Sequence, residues 1–537
     1  MLKPLTSNLS EVMKNKLIAS IAGATAIASA LFLTTPYYFG QLAENTLNEQ
    51  YQMLQNSGFL TVESHQYDRG WFSATETTVV RLKPSLLHNA QRYLPDNLKT
   101  VLTEPITIVN HVSHGPFAGG LTLAAAKVNS EIRYQPEAEK VLKRFFGENA
   151  PINISNTIGF GGGGKLYVDI PAFEYEELSG IKLNWQGFSG TTAYNKGWQK
   201  FQNNYTAPSL HIKLADKGDV TLENLHFESD TYPADKHAIA LGSSSVKLDK
   251  FSLRWQEGID YNFKLNELVH LLTDLQIGAF INPTGTIPPS QIVVEKLQFD
   301  TKMSAEQQWI NSEGRFRFDK LAYGNDIYGP LDIDIAAEHL DAPSLVVLKN
   351  KMAEIASKNM SEEEIQTALL NTAKNEASGL FTQNPLIKVR TFDFTMPQGK
   401  IHASGQLGFQ GLSKTDLNDI QTLLQKTQAD FKFDVPQKLL QHLAVSQARS
   451  IFTVNPEDAA SGEANIEDIN ETLRLMVDST IQSMANEGYV TVENGNVSTR
   501  IEFGQNHLKF NGKPFKVEPE PEFTDADMVE ESASAAQ

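Results

Sequence analysis

The chain has 537 residues, with 46 Lys and Arg against 64 Asp and Glu, and no cysteine. A formal net charge of −18 repels phosphate backbones and argues against nucleic-acid binding. The missing cysteines remove disulfide frameworks, zinc ribbons, iron–sulfur clusters and thiol nucleophiles together. The length asks for roughly two to four domains, and the apolar and charged fractions are those of an ordinary globular protein.

Residues 17–43 carry no charge, and residues 17–39 are mainly Ala, Ile, Leu and Phe. About 20 such residues in a helix cross a ~30 Å hydrocarbon core. Lys3, Lys14 and Lys16 precede the run and Glu44 and Glu49 follow it, which places the N-terminus in the cytoplasm and the rest outside. Tyr37, Tyr38 and Phe39 fall where an interfacial aromatic belt would form. The alternative is a signal peptide cleaved near Ala28-Ser29-Ala30. That cut would leave Leu31, Phe32 and Leu33 at the new terminus, so an uncleaved anchor is the preferred reading. Residues 41–55 continue in helical period, with Leu42, Leu47, Tyr51 and Leu54 near one face; they form either a stalk at the membrane or the start of the folded region.

Beyond residue 56 the period becomes two. Phe72, Ala74, Thr78, Val80 and Leu82 share one face of a strand, and Glu76 interrupts that face. Asp68-Arg69-Gly70 before it is turn chemistry, and residues 59–67 read as the partner strand. Alternation recurs at Leu166-Val168-Ile170, Leu210-Ile212-Leu214 and Leu331-Ile333-Ile335. A second pattern, two alternating apolar residues, a doubled spacer and two more, appears at Val168/Ile170/Phe173/Tyr175 and Val220/Leu222/Leu225/Phe227. It returns at Val246/Leu248/Phe251/Leu253, Ile292/Val294/Leu297/Phe299, Phe316/Phe318/Leu321/Tyr323 and Ile387/Val389/Phe392/Phe394. A straight strand would send the second pair to the opposite face, whereas a bulge in the spacer returns it and bends the strand.

Helices are expected at 137–146, 345–356, 361–378, 415–428, 437–452 and 466–486, the third opened by capping-box spacing at Ser361 and Glu364. Strands at 489–492 and 508–510 and an Asn511-Gly512 turn follow. The expected fold class is mainly β, with antiparallel, curved or bulged sheets, interspersed α-helices and one N-terminal transmembrane helix. The expected organisation is a cytoplasmic segment 1–16, an anchor 17–39, a membrane-proximal helix 40–56, a β-rich extracytoplasmic domain 57–343, a helical segment 344–380, an α+β domain 386–515 and an acidic tail 516–537. That tail lacks the apolar area to fold.

Three short motifs follow the apolar run in order: His65-Gln-Tyr-Asp-Arg-Gly-Trp-Phe-Ser73, Val112-Ser-His-Gly-Pro-Phe117 and Thr157-Ile-Gly-Phe-Gly161. Together they resemble the YdgA-like family of bacterial membrane-anchored envelope proteins of unknown function. The resemblance covers residues 17–165 most specifically and 488–515 more loosely. It implies a location and an architecture, and no activity or functional residue.

The remaining motifs read as structure. The run from Gly159 to Lys165 has Walker A spacing, but Leu166 stands where Ser or Thr should hold magnesium, and a strand follows, not a helix. A glycine-rich hairpin is the better reading. His111 and His114 are three apart, on opposite faces of a strand, with no third ligand evident. Gly187 to Gly190 falls short of a nucleophile elbow because position 191 is Thr. Asp332 and Asp334 lie opposite Leu331, Ile333 and Ile335, on the wet side of a sheet. The candidate interaction surface is Asp68, Arg69, Gly70, Trp71 and Phe72 with His114, Gly115, Pro116 and Phe117. It is either a partner-docking turn or a hairpin pinned by an Asp68–Arg69 ion pair over Trp71.

These residues point to a non-enzymatic binding or lipid-handling envelope protein in the bacterial inner membrane, single-pass, with its C-terminal region periplasmic. No cofactor, metal site or catalytic residue is expected. The expected partners are the membrane and a lipid or another envelope protein, with homo-oligomerisation open. The alternatives are an oligomeric scaffold of the cell envelope and, less favoured, a hydrolase that would show a deep polar pocket holding an acid of shifted protonation.

Overall fold

The structure is a computed structural model, and it describes residues 34–57, 60–83, 102–120, 123–234, 237–256, 291–356, 360, 362–451 and 466–515. Most of the expected anchor, the first sixteen residues and the acidic tail therefore lie outside the described residues. Among the described residues no helix is long and apolar enough to cross a membrane. The chain divides into two units, residues 1–385 with Asp393–Pro397, and Leu386–Phe392 with the remainder.

The first unit opens with helix α1 (34–55). Pro36, Gly40, Ala43 and Leu47 are buried, and their spacing of three or four residues lines them along one helical stripe. The stripe packs on Ala74, Val112, Ala126, Val128 and Ile158. The helix is thus the start of the folded region and not a free stalk, and the boundary drawn at residue 39 falls inside it.

An antiparallel meander follows. Strands β1 (Leu60–Arg69), β2 (Ser73–Leu82), β3 (Ile106–His114), β4 (Ala126–Arg133), β5 (Asn153–Ile158) and β6 (Gly164–Ile170) pair in sequence order. Helix α2 (Pro136–Phe146) interrupts them. Strand β6 pairs with β9 (Phe188–Tyr194), while the short β7 (Phe173–Glu176) and β8 (Ile181–Trp185) pair with each other. Both β9 and β8 then pair with β10 (Phe201–Leu214), one along each half. The meander continues through β11 (Gly218–Ala234), β12 (His237–Trp255) and β13 (Gln291–Glu306). Beyond β13, the strands β14 (Trp309–Phe318) and β15 (Lys320–Tyr323) share its outer edge, and β16 (Asp326–Tyr328) and β17 (Leu331–Asp341) pair with them.

The doubled spacers explain those split strands. In each pairing among β10, β11, β12 and β13 the register is the same on either side of one position that drops out of the ladder: Pro208 opposite Asn224, Asn224 opposite Asp249, and Asp249 opposite Lys296. Gly187 between β8 and β9, Pro171 and Ala172 between β6 and β7, and Asp319 between β14 and β15 continue the same line. Gly187, Asn224 and Lys296 have φ of 94°, 52° and 56°, so the chain skips one step of its alternation and keeps both apolar pairs on one side. Along this crease Asn224 Nδ2 and Lys296 Nζ donate to the two oxygens of Asp249 at 2.9 and 2.8 Å. Phe318 and Tyr328, from opposite sides of it, both meet the ring of Phe394, at 6.3 and 6.2 Å. Five of the six spacers lie on the crease; the sixth falls in an uninterrupted strand, β18 (Leu386–Met396).

The crease gives the sheet two unlike faces. One is polar, laced by Glu223–Lys250, Glu228–Lys247, Arg317–Asp300 and Arg315–Asp332 ion pairs. The other carries the apolar pairs. Helices α3 (Ala342–Ala356), α4 (Glu362–Asn375) and α5 (Gly379–Thr382) close the unit, with Leu345 and Val346 of α3 packed against Ala234, Leu241 and Ile310.

In the second unit β19 (Gly399–Phe409), β20 (Thr427–Pro436) and β22 (Asn496–Gly504) form an antiparallel ladder, edged by β21 (Thr491–Glu493), β23 (His507–Phe510) and β24 (Lys513–Pro514). The helix expected over 415–428 is shorter. A 3₁₀ turn at Thr415–Asn418 precedes α6 (Ile420–Lys426), whose N-cap Asp419 accepts from Gln421 N. Helices α7 (Gln437–Ile451) and α8 (Ile466–Asn486) bring Leu440, Val477 and Ile481 onto Val490 and Val497.

Candidate functional site

The three sequence motifs meet at α1. Arg69, at the end of β1, reaches across to Gln41 Oε1 at 2.7 Å and Glu44 Oε2 at 2.8 Å, and its guanidinium lies over the Tyr37 ring at 5.0 Å. Trp71 leans on Tyr37 with ring centroids 6.3 Å apart. His114 is buried at the end of β3, with Nδ1 3.0 Å from Pro36 O; burial pulls its pKa down. Its ring fills the space above Gly40, where an added Cβ would come within 2.7 Å of Cε1. Gly115, at φ 127°, passes beside Pro36. From the third motif Phe160 meets Phe39 at 5.1 Å, and just beyond it Gly162 O accepts from Thr46 Oγ1 at 3.4 Å. Trp198 Nε1 donates to Thr46 O at 3.1 Å. The candidate interaction surface is therefore, in large part, the seat of the chain's own first helix.

Two expectations are corrected by this geometry. Asp68 does not pair with Arg69, because its carboxylate accepts from Gln66 Nε2 at 2.8 Å while Arg69 turns to α1. Trp71 is exposed rather than packed beneath the turn. Gly70 N closes that turn on Ser73 O at 2.8 Å, and Pro116 and Phe117 follow His114 in a surface turn. The other motifs fall as read: His111 faces outward to Glu131 at 3.2 Å, Asp332 is held by Arg315, and the glycine run turns between β5 and β6.

A cavity of about 150 Å³ lies between the second half of α1 and the sheet. Leu47, Gln50, Tyr51 and Leu54 form the helical wall; Glu76, Thr78, Asn110, Ser130 and Asn156 are the polar part of the floor, with Ile154 and Leu166 beyond. Glu76 is 3% exposed. It accepts from Asn110 Nδ2 at 2.6 Å, and Asn110 Oδ1 accepts in turn from Ser130 Oγ at 2.6 Å. His65 Nδ1 stands 3.7 Å from Glu76 and 3.0 Å from Thr78 Oγ1, its ring stacked on Tyr51. Burial raises the Glu76 pKa, and the Asn110 bond and His65 offset it only in part. Burial likewise pushes the Tyr67 phenol up, reinforced by the Glu44 and Glu76 carboxylates. Asn156 Oδ1 accepts from Tyr194 OH at 2.9 Å, while its Nδ2, equally buried, has no partner. Burial holds Tyr194 up at about 12. The floor thus offers a carboxyl of raised pKa and a spare amide donor among apolar walls.

Sequence reading singled out none of these cavity residues as a site. The signal was present, because Glu76, Asn110, Ser130 and Asn156 occupy inward positions that alternation reserves for apolar side chains. A model for a bacterial protein family of unknown function, DUF945, matches residues 13–518. The chain belongs to this family. The match runs through both units, so the α1 seat and the creased sheet fall within the family's span. No curated protein and no solved structure matches the chain.

Proposed function

We propose that this DUF945 member is a non-enzymatic envelope protein, held in the bacterial inner membrane by its N-terminal apolar run, that binds a lipid-like ligand along one face of its sheet. The YdgA-like resemblance and the charge asymmetry around residues 17–39 support the location. One observation carries the binding reading: a cross-strand row of inward side chains that is polar beneath α1 becomes apolar and half-exposed farther along. From Glu76 the cross-strand neighbours run through Asn110, Ser130, Ile154 and Val168, skip Gly190, and continue as Tyr205, Phe227, Val246, Phe299 and Phe316. Gly190 lets the Tyr205 ring lie flat against the sheet, stacked on Phe188 at 5.4 Å.

Large exposed apolar faces mark binding surfaces. Strands are spaced about 4.8 Å, so an acyl chain of about 15 Å, half a hydrocarbon core, spans about three of them. The cavity is a separate polar feature: Phe227 lies four strands, about 19 Å, beyond Asn156, so a chain that spans about three strands and is seated at Phe227 and Phe299 does not reach the cavity floor. The floor does hold the acid of raised pKa that the hydrolase alternative calls for, but Glu76 is the single carboxyl among the lining residues, so the paired acids of glycoside-type hydrolysis are not assembled there.

A photoreactive residue placed at Phe227 or Phe299 in the full chain, irradiated in cells, should give peptide adducts of lipid mass. The same residue at Glu228 or Asp300 on the polar face should not. Adducts to a second copy of the chain at 227 and 299 would replace lipid binding with the scaffold reading, and equal labelling of both faces would remove the ligand reading.

A further inference from the structure

We propose that the aromatic side chains gathered at the N-terminal end of α1 form a collar that sits in the interfacial layer of a phospholipid bilayer, pressing the first unit against the membrane. The inference rests on the anchor reading above and goes beyond it, because an anchored domain could equally stand off on a free tether.

Tyr37, Tyr38, Trp71, Phe72, Phe117 and Phe160 are between 47% and 63% exposed. They come from four separate stretches of chain, and the structure brings them to one place. Trp71 lies on Tyr37, Phe160 on Phe39 and Phe39 on Tyr38. Phe72 O accepts from His114 N, and Phe117 follows His114 by three residues. Exposed aromatics scattered singly need no explanation, but a cluster of this size does.

Tyr and Trp side chains pair an apolar body with a polar tip, which suits the boundary between headgroups and acyl chains. The uncharged run of the sequence joins the described fold at residue 34, one helical turn from Tyr37 and Tyr38. A bilayer entered by that run meets this patch first. Arg69, which lies over the Tyr37 ring, is matched by Glu44 at 2.8 Å, so this cation does not oppose insertion.

The chain's lack of cysteine makes the test direct. Single-cysteine variants Phe72→Cys, Phe117→Cys and, as a control on the polar face of β6, Tyr167→Cys would carry a nitroxide in the full chain, reconstituted into phosphatidylcholine–phosphatidylglycerol vesicles. Flotation reports whether the anchor has inserted. With insertion, labels at 72 and 117 should be reached by oxygen several-fold more readily than by a nickel chelate, relative to the label at 167. Inserted protein with the same accessibility at all three positions would overturn the collar and leave the anchor standing. Dipolar broadening between labels at 72 would show a second copy covering the patch instead, which also overturns it. Failure to float would remove the anchor reading on which the collar depends.

Discussion

The crease makes opposite demands on two lysines of one strand. Lys296 and Lys302 are both exposed on β13, but Lys296 sits on the crease at φ 56°, whereas Lys302 is in regular register between Ser243 and Glu313. At an ordinary strand position Val is better than Gly by about 1 kcal/mol. In the left-handed region a branched side chain is strained by about 2 kcal/mol, and the larger freedom of Gly in the unfolded chain returns about 0.5–1 kcal/mol of that. Gly should therefore exceed Val by about 1 kcal/mol at position 296. The Lys296–Asp249 ion pair is lost in both variants and cancels from the comparison. The difference between the two sites is about 2 kcal/mol, close to a 30-fold swing in the unfolding equilibrium. Pulse proteolysis of the full chain across a urea series, following fragments of the first unit, reads that order. If Val is the more stable residue at both positions, residue 296 is not held at positive φ and the crease is wrong.

Two other outcomes follow from the α1 seat. Because burial raises the folded pKa of Glu76 above its ordinary 4.5, its contribution is complete below 4.5 and is lost as pH rises through the folded value. Glu76→Gln should therefore gain stability over the parent between pH 4 and pH 8, and a difference that does not change with pH would mean that Glu76 is ionised in the fold. Gly40→Val places a branched side chain against the His114 ring, which is fixed by Pro36 O. Overpacking of this kind costs about 1–3 kcal/mol, and hydrogen exchange of residues 40–55 should quicken; unchanged exchange would show that the ring yields.

Much of the architecture is legible in the residues because burial imposes period on them. The alternation at Phe72 to Leu82 and the repeated spacers are both direct records of side-chain direction. What the local pattern does not carry is register. The positions that drop out of the ladder, 208, 224, 249 and 296, are unevenly separated in sequence because the strands and the connections between them differ in length, and only cross-strand pairing shows that they form one line. Arg69 is illegible for a similar reason: its partners, Gln41 and Glu44, lie more than twenty residues upstream, while the adjacent Asp68 offers a nearer and false match. Glu76 is the instructive case, since the residue that spoils an amphipathic strand is the one that lines the cavity. The break in pattern there records a cavity-lining position rather than a misplaced strand.

The two proposals make separable demands on α1. Tyr38, in the collar, and Tyr51, in the cavity wall, are thirteen residues apart, which is about 20 Å along a helix at 1.5 Å per residue. An acyl chain of about 15 Å cannot keep its tail in the bilayer and its head at Glu76 across that distance. A lipid reaching Glu76 must therefore have left the membrane, and a chain seated on the apolar sheet face is covered by that face and not by neighbouring lipids. Loss of collar aromatics should then loosen the first unit from the membrane without emptying the sheet, whereas charge placed at Phe227 should empty the sheet without moving the collar. Coupled loss of both from either change would mean that the helix transmits one state to the other, and that α1 is more than a fixed wall.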